Sequence, residues 1–426
     1  MLNKTYLLHI ATSSLVLVLG LVTGSVSARL LGVEGRGLLA IVIFAGQFVS
    51  SISVLGMSDA VVSTTGTDSG SGILKRDVVV LAVANYLVVS CVFAIPIYFY
   101  LSPHGSEIAI LGAAFFAAQL LYVVVTQLLF GALRARGLFQ TFNAFRIGLP
   151  AVYAASMVSF VFLAPSVLTF VKLNILTVVI LTCFEVFAIA RFVDLSGRSR
   201  LVSRSAIFFY LINVLLIVST QIDKLMVINF LSKQEVGIFI VATTVAGPFQ
   251  GFLIQAMRTI AMPSLAKLDT TQKADMLQKG LATVWTISLV SSVFVSIAGP
   301  IVVLVAFGSE FYQAGILVPL ITFSLALTPI RGLIIEALKT EPRKIVLYAI
   351  EAVYILTFSL SFTMLHSYGL VWSVIPSLFI GNLLGALVAI FCASRVYLIS
   401  PFAWLAMDWD WLRTAYARLS GVERSP

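Results

Sequence analysis

Residues 219–239, "STQIDKLMVINFLSKQEVGIF", decide how this chain is read. The first half is apolar enough to lie in a bilayer, yet Asp223 and Lys224 stand side by side within it. A short polar break, Ser232 to Glu235, follows, and then Gly237 opens another apolar run. In hydrocarbon each mid-helix charge costs about 2.5–3.5 kcal/mol on insertion scales. The pair therefore signals helices that bury polar work inside a membrane protein. Outward from this stretch the pattern repeats: 60% of the 426 residues are apolar and only 11% charged, with mean hydropathy +1.07. A soluble protein keeps roughly a quarter of its residues charged. Apolar runs of about 20 residues, each long enough to cross a bilayer, recur near 7–28, 37–62, 78–101, 108–131, 142–163, 168–190, 206–230, 236–257, 281–307, 314–338, 345–366 and 369–393. The expected fold is all-α: a polytopic membrane protein of about 12 transmembrane helices.

The net charge of +9 is distributed by topology. Outer segments hold Arg29, Arg36 and Lys233, the spans hold Arg146, Lys172, Lys224 and Arg331, and the other basic residues fall on the side carrying both termini. That is the positive-inside rule. It places both termini in the cytoplasm and removes the case for a nucleic-acid partner. Cys91, Cys183 and Cys392 are scattered through apolar runs and read as buried small hydrophobes. The few, separated histidines offer no metal site. The start, "KTYLLHIATSSLVLVLGLVTGSVSA" (4–28), imitates a signal peptide, but its apolar core is too long and it is expected to remain as the first helix.

The basic stretch "RFVDLSGRSRLVSRS" (191–205) divides the spans six and six. The expected organisation is an N-terminal lobe over 1–190, a cytoplasmic linker over 191–205, a C-terminal lobe over 206–393 and an amphipathic cytoplasmic tail over 394–426, rich in Trp404, Trp409 and Trp411. A shift of 200 positions lays "LLGVEGRGLLAIVIFAG" (30–46) on "FLSKQEVGIFIVATTVA" (230–246), with Gly37 on Gly237. The lobes are thus related by a pseudo-two-fold repeat, a transporter architecture whose site lies between the halves. Gly37 and Gly237 are expected to open the outer turns of the two lobes. Pro319 and Pro329 make the tenth span bendable, and Gly381–Gly385 permits close helix approach.

Charges within spans are the candidate functional groups. Arg331 lies about seven residues, or roughly 10 Å, inside its span, and Arg258 and Arg146 lie near inner ends. Lys172 is close enough to an outer end to snorkel. Glu336 is spaced to pair with Lys339, and Glu351 or Glu185 could meet Arg331 if it faces away from a cavity. Metalloprotease, nucleophile-elbow and phosphate-loop motifs are absent. "DWD" (408–410) sits in the tail with no nucleotide-sugar domain around it.

At "RLLGVEGRGLLAIVIF" (29–44) and "QIDKLMVINFLSKQEVGIFIVA" (221–242) the chain resembles the Wzx-type polysaccharide flippases. Their superfamily also contains multidrug extruders and lipid II flippases. Asp223, Lys224 and Gly237 match the second signature, although Ile238 and Phe239 replace its usual Tyr. The resemblance extends to about residue 394. It implies a flippase, not an enzyme, in a bacterial or archaeal inner membrane. Such a protein exports an isoprenoid-(pyro)phosphate-linked oligosaccharide by alternating access, without a cofactor, among membrane lipids and other polysaccharide-assembly proteins. On that reading Arg331, Arg258, Arg146 and Lys224 are headgroup candidates, because Arg offers charge-assisted hydrogen bonds to phosphate. Asp223, Glu185, Glu351 and Asp59 are candidates for ion coupling or for structural ion pairs. The alternatives are a multidrug extruder, a membrane polymerase or ligase (which would carry a large outer catalytic loop) and a scaffold protein.

Overall fold

A computed structural model describes residues 4–53, 74–160, 165–194, 204–265, 269–339, 341, 345–400 and 402. Asp59, most of the 191–205 linker and most of the tail, including Trp404, Trp409 and Trp411, lie outside the described residues. Among the described residues the chain is all-α apart from one two-residue parallel pairing, Leu74–Lys75 with Val193–Asp194. The helices are α1 (Lys4–Ser53), α2 (Arg76–Leu101), α3 (Ser106–Ala135), α4 (Phe139–Phe160), α5 (Val167–Ile189), α6 (Arg204–Phe230), α7 (Lys233–Leu265), α8 (Thr270–Val302), α9 (Tyr312–Leu325), α10 (Thr328–Leu338), α11 (Ile345–Leu365) and α12 (Leu370–Tyr397).

Among the described residues nine helical stretches are long and apolar enough to cross a membrane. The first, Thr12–Ser53, contains the first two expected spans. A single residue separates them: Gly32, at φ 67° and ψ −175°, a conformation that only glycine adopts cheaply. This corrects the expected loop over 29–36. The helix resumes at once, so Arg36 sits one turn inside the second arm. The tenth span is indeed broken, between α9 and α10, where Pro329 occupies the first turn of α10 and cannot supply an N–H to the preceding turn. Ser288 Oγ donates to the Ala326 carbonyl at the break, 2.7 Å away, satisfying a group that hydrocarbon could not.

Two compact units emerge. Unit 1 comprises Met1–Gln221, Ser232–Val241 and Ala306–Glu310. Its packing is α1 against α3 and α4, and α3 against α2 and α5. Unit 2 comprises Ile222–Leu231, Ala242–Val305 and Phe311–Pro426. There α11 packs on α12, and α8 packs on α9 and α10.

Within unit 1, Gly37 and Gly237 prove to be something other than turn residues. Neither has positive φ, and both lie inside helices. A Cβ on Gly37 would strike the Lys233 carbonyl and come within 3.0 Å of the Gly237 nitrogen. A Cβ on Gly237 would strike the Val33 carbonyl and come within 3.2 Å of the Gly37 nitrogen. The two glycines mark a backbone-to-backbone helix crossing, and its contacts are reciprocal at a spacing of 200 positions. The Arg29 side chain donates to the Ala306 carbonyl, 2.7 Å away, beside this crossing.

The cysteines also differ from expectation. Cys91 and Cys183 are exposed and Cys392 is partly so, because apolar side chains on a membrane protein can face lipid as readily as protein. Lys172 pairs with Glu107 at 3.5 Å, both largely exposed.

Unit 2 is tied at one end by a buried polar clasp. Lys273 Nζ lies 2.8 Å from Glu341 Oε1, and the Tyr397 hydroxyl lies 3.0 Å from the Ala337 carbonyl and 3.2 Å from Glu341 Oε1. Removing one neutral partner of such a network costs about 1 kcal/mol. Leaving the Glu341 carboxylate without its ammonium costs about 3–5 kcal/mol. Tyr397→Phe is therefore expected to lower thermostability slightly and Lys273→Met clearly, as read by the survival of monodisperse protein after heating.

Candidate functional site

A buried polar cluster lies in unit 2, and its sequence logic is local. α10 starts at the break with Pro329, so Arg331 falls within its first turn. Glu351 and Tyr354, three apart on α11, share one helix face. Opposite them α12 presents Gly381 and Gly385. A Cβ on Gly381 would stand 3.2 Å from Tyr354, and one on Gly385 would stand 3.2 Å from Arg331 Nη1. The small residues therefore let α12 close over the polar face, as the Gly381–Gly385 spacing suggested.

Arg331 is only 4% exposed and Glu351 only 1%. Nε of Arg331 stands 4.0 Å from Glu351 Oε1, wider than a hydrogen bond, while Cζ lies 4.0 Å from the centre of the Tyr354 ring. The ring's negative face and the carboxylate together stabilise the guanidinium. Asp223 on α6 is close enough for its charge to act on Tyr354. Arg331 Nη1, Glu351 Oε2 and Asp223 Oδ1 are all buried without a hydrogen-bond partner among the described residues. Arg331 thus meets Glu351 and Tyr354, while the cation whose charge acts on Asp223 is its neighbour Lys224.

In unit 1 the buried acid is Glu185 on α5, 2% exposed. The Thr126 hydroxyl on α3 donates to its Oε2, 2.6 Å away. Tyr122, one helical turn earlier on α3, also lies within its field. A second polar group joins α4 and α5: Asn174 Nδ2 donates to the Tyr153 hydroxyl oxygen at 2.9 Å. Arg36 lies within electrostatic reach of that hydroxyl, and its buried Nε has no partner among the described residues. Arg36 escaped the sequence reading because the span was begun at 37; the single-residue bend at Gly32 is what carries it into the helix.

The remaining candidates are placed as follows. Arg146 is partly buried on α4 and Lys224 partly buried on α6, each with interactions of its own. Arg258 belongs to α7, and its side chain lies outside the described residues. The expected Glu336–Lys339 pair is present at 2.7 Å. The structure thus gathers Asp223, Arg331 and Glu351 in unit 2, while Glu185 and Arg146 belong to unit 1.

Solved structures share this fold over nearly the whole chain. The lipid II flippase MurJ in an inward closed conformation matches with TM-score 0.68 and 13% identity, covering 94% of this chain and 90% of its own. An inward-facing multidrug resistance MATE family transporter of the MOP superfamily matches with TM-score 0.63 and 13% identity, over 93% of this chain and 96% of its own. An outward-facing form of such a transporter gives TM-score 0.58 and 14% identity, over 93% and 99%. No curated protein matches. A family model described as "Polysaccharide biosynthesis protein" matches residues 26–315. That match runs through both glycine-bearing signatures, and this chain accordingly belongs to the polysaccharide biosynthesis protein family, built on the membrane fold that MATE transporters and MurJ share.

Proposed function

We propose that this protein is a flippase. It moves an isoprenoid-(pyro)phosphate-linked oligosaccharide from the cytoplasmic to the outer leaflet of an inner membrane, by alternating access, for cell-surface polysaccharide biosynthesis. The observation that carries this reading is membership of a polysaccharide biosynthesis family in a chain folded like a lipid II flippase. The physics supports it. A sugar and pyrophosphate headgroup does not cross hydrocarbon unaided, and a cavity lined by Arg would supply charge-assisted hydrogen bonds to it. Arg258, Arg146 and Lys224 are the headgroup ligands we assign. Arg331 joins them only in a conformation that draws it away from Glu351. Asp223 and Glu351 are the acids we assign to ion coupling, because each keeps a buried carboxylate oxygen without a hydrogen-bond partner among the described residues; Glu185 and Asp59 are the corresponding candidates in the first lobe.

The test is a leaflet assay in cells. Deletion is expected to leave a lipid-linked oligosaccharide on the cytoplasmic face. Arg258→Ala is expected to reduce outward transfer roughly tenfold or more at normal protein level, since a hydrogen bond to a charged group contributes about 1.5–3 kcal/mol. The fold shared with multidrug resistance MATE transporters supports a second reading, drug extrusion. Unchanged glycan export after deletion, with heightened sensitivity to cationic drugs, would establish that reading instead.

A further inference from the structure

We propose that the break between α9 and α10 is a two-position hinge, and that Ser288 and Gln250 form its latch. Every group involved lies within unit 2. Pro329 has no N–H for the Leu325 carbonyl, so the helix is weakest there. Beyond that the break is slight. Ala326 (φ −59°, ψ −26°) and Leu327 (φ −82°, ψ −14°) already hold right-handed helical angles. The Ala326 N–H closes back on the Phe323 carbonyl at 3.1 Å, and the Arg331 N–H reaches the Leu327 carbonyl at 3.3 Å. Between these two bonds one is missing. In an unbroken helix the Ala326 carbonyl would accept from the Ile330 N–H; here it accepts from Ser288 Oγ at 2.7 Å. Ile330 is 0% exposed, and no side chain caps the start of α10. A buried N–H left over in this way is expensive.

The Ser288 hydroxyl on α8 has one proton and two acceptors in reach: the Ala326 carbonyl, and Gln250 Oε1 on α7 at 3.1 Å. The other end of the Gln250 amide fixes its orientation. Its Nε2 donates to Ser292 Oγ at 3.1 Å. The Ser292 proton is committed to the Ser288 carbonyl at 2.7 Å, so Ser292 can only accept from Gln250. The amide oxygen therefore faces Ser288. All three side chains are shielded from solvent, none more than 3% exposed. Two arrangements then satisfy the polar groups. In the broken one Ser288 serves Ala326, and Thr328 holds the far side, its hydroxyl donating to Asn382 Oδ1 on α12 at 3.1 Å. In the wound one Ile330 serves Ala326, and the Ser288 proton turns to Gln250. A change of about 20–30° in the angles of Leu327 separates the two. Gln250 makes that change cheap, because without it winding would strand a buried hydroxyl. The device does not rest on the flippase reading.

The experiment is a distance measurement across the break by double electron–electron resonance, on the full-length protein in detergent. Nitroxide labels are placed at Tyr312→Cys and Ile345→Cys, both well exposed, with Cys91, Cys183 and Cys392 changed to Ala. Winding straightens the two arms and lengthens the label separation. Pro329→Ala restores the missing N–H and is expected to raise the ratio of long to short separations roughly tenfold or more. Adding Gln250→Leu strands the Ser288 proton in the wound position, and is expected to lower that ratio again by about fivefold. In a chain that carries Ser288→Ala as well, the same Gln250→Leu change should have no such effect, since no proton is left to strand. If Ser288→Ala does not yield monodisperse protein, the comparison of Pro329→Ala with and without Gln250→Leu decides the latch alone. An unchanged separation in Pro329→Ala overturns the hinge. A Gln250→Leu change that leaves the Pro329→Ala ratio unmoved, or moves it equally with and without the Ser288 hydroxyl, overturns the latch.

Discussion

Arg331→Ala is expected to destabilise the protein severely, lowering the temperature at which solubilised protein stays monodisperse by on the order of 10 °C. The reason is burial. Removing one partner of a buried ion pair costs about 3–5 kcal/mol, because the other charge stays behind in a low dielectric. Here the stranded group is Glu351, 1% exposed, with Oε2 already unpartnered among the described residues. The stacked contact with Tyr354 disappears as well, worth about 0.5–2 kcal/mol. Glu351→Gln should be milder, since an amide of the same shape carries no charge to strand. Arg331→Met combined with Glu351→Gln should recover much of the loss, a non-additivity expected only of groups in contact. Heat inactivation of a membrane protein is commonly irreversible, so the comparison is made at one heating rate. Normal thermostability of Arg331→Ala together with abolished transfer would contradict this account. It would place the guanidinium on the substrate path and not in a structural pair.

That ambiguity about Arg331 shows where sequence reasoning stops in a membrane protein. Spans are legible because hydrocarbon demands about 20 apolar residues in a row. The break before α10 was legible from Pro329, the Glu336–Lys339 pair from its spacing, and the close approach of α12 from Gly381 and Gly385. What is lost is the inward direction. In a soluble helix the polar face marks the outside, so periodicity names the core. In lipid both faces are apolar, and an exposed Phe187 and a buried Phe170 on the same helix look identical in sequence. Cys91 and Cys183 were misplaced for this reason. For the same reason Arg331 could be assigned a depth but not a partner. Arg36 was missed for a different reason: a one-residue turn at Gly32 is shorter than any loop that hydropathy resolves.

Gly37→Ala and Gly237→Ala are each expected to destabilise, and the sign alone is diagnostic. Alanine in place of a glycine inside a helix ordinarily stabilises by up to about 1 kcal/mol. Gly20→Ala should behave so, because a Cβ there meets nothing within 4 Å. At Gly37 the new methyl would run into the carbonyl of Lys233, and at Gly237 into that of Val33. Both obstacles are backbone and cannot rotate away, so the helices must separate, at a cost of about 1–3 kcal/mol. Once the first methyl has forced that separation, the second finds part of its space already open. The double variant should therefore lose clearly less than the two single losses combined, with a coupling of about 1 kcal/mol or more. Additive losses would mean two independent crowded sites; stabilisation by either alanine would mean that the helices do not meet here. The expected coupling follows from the reciprocity of the contact. Val33 and Lys233, like Gly37 and Gly237, stand 200 positions apart, so each helix presents a like patch to the other, as in an isologous dimer. Each glycine leaves the space into which the other helix packs. A demand for glycine at one position is then a demand at both, and the same residue stands at both ends of a shift of 200 positions.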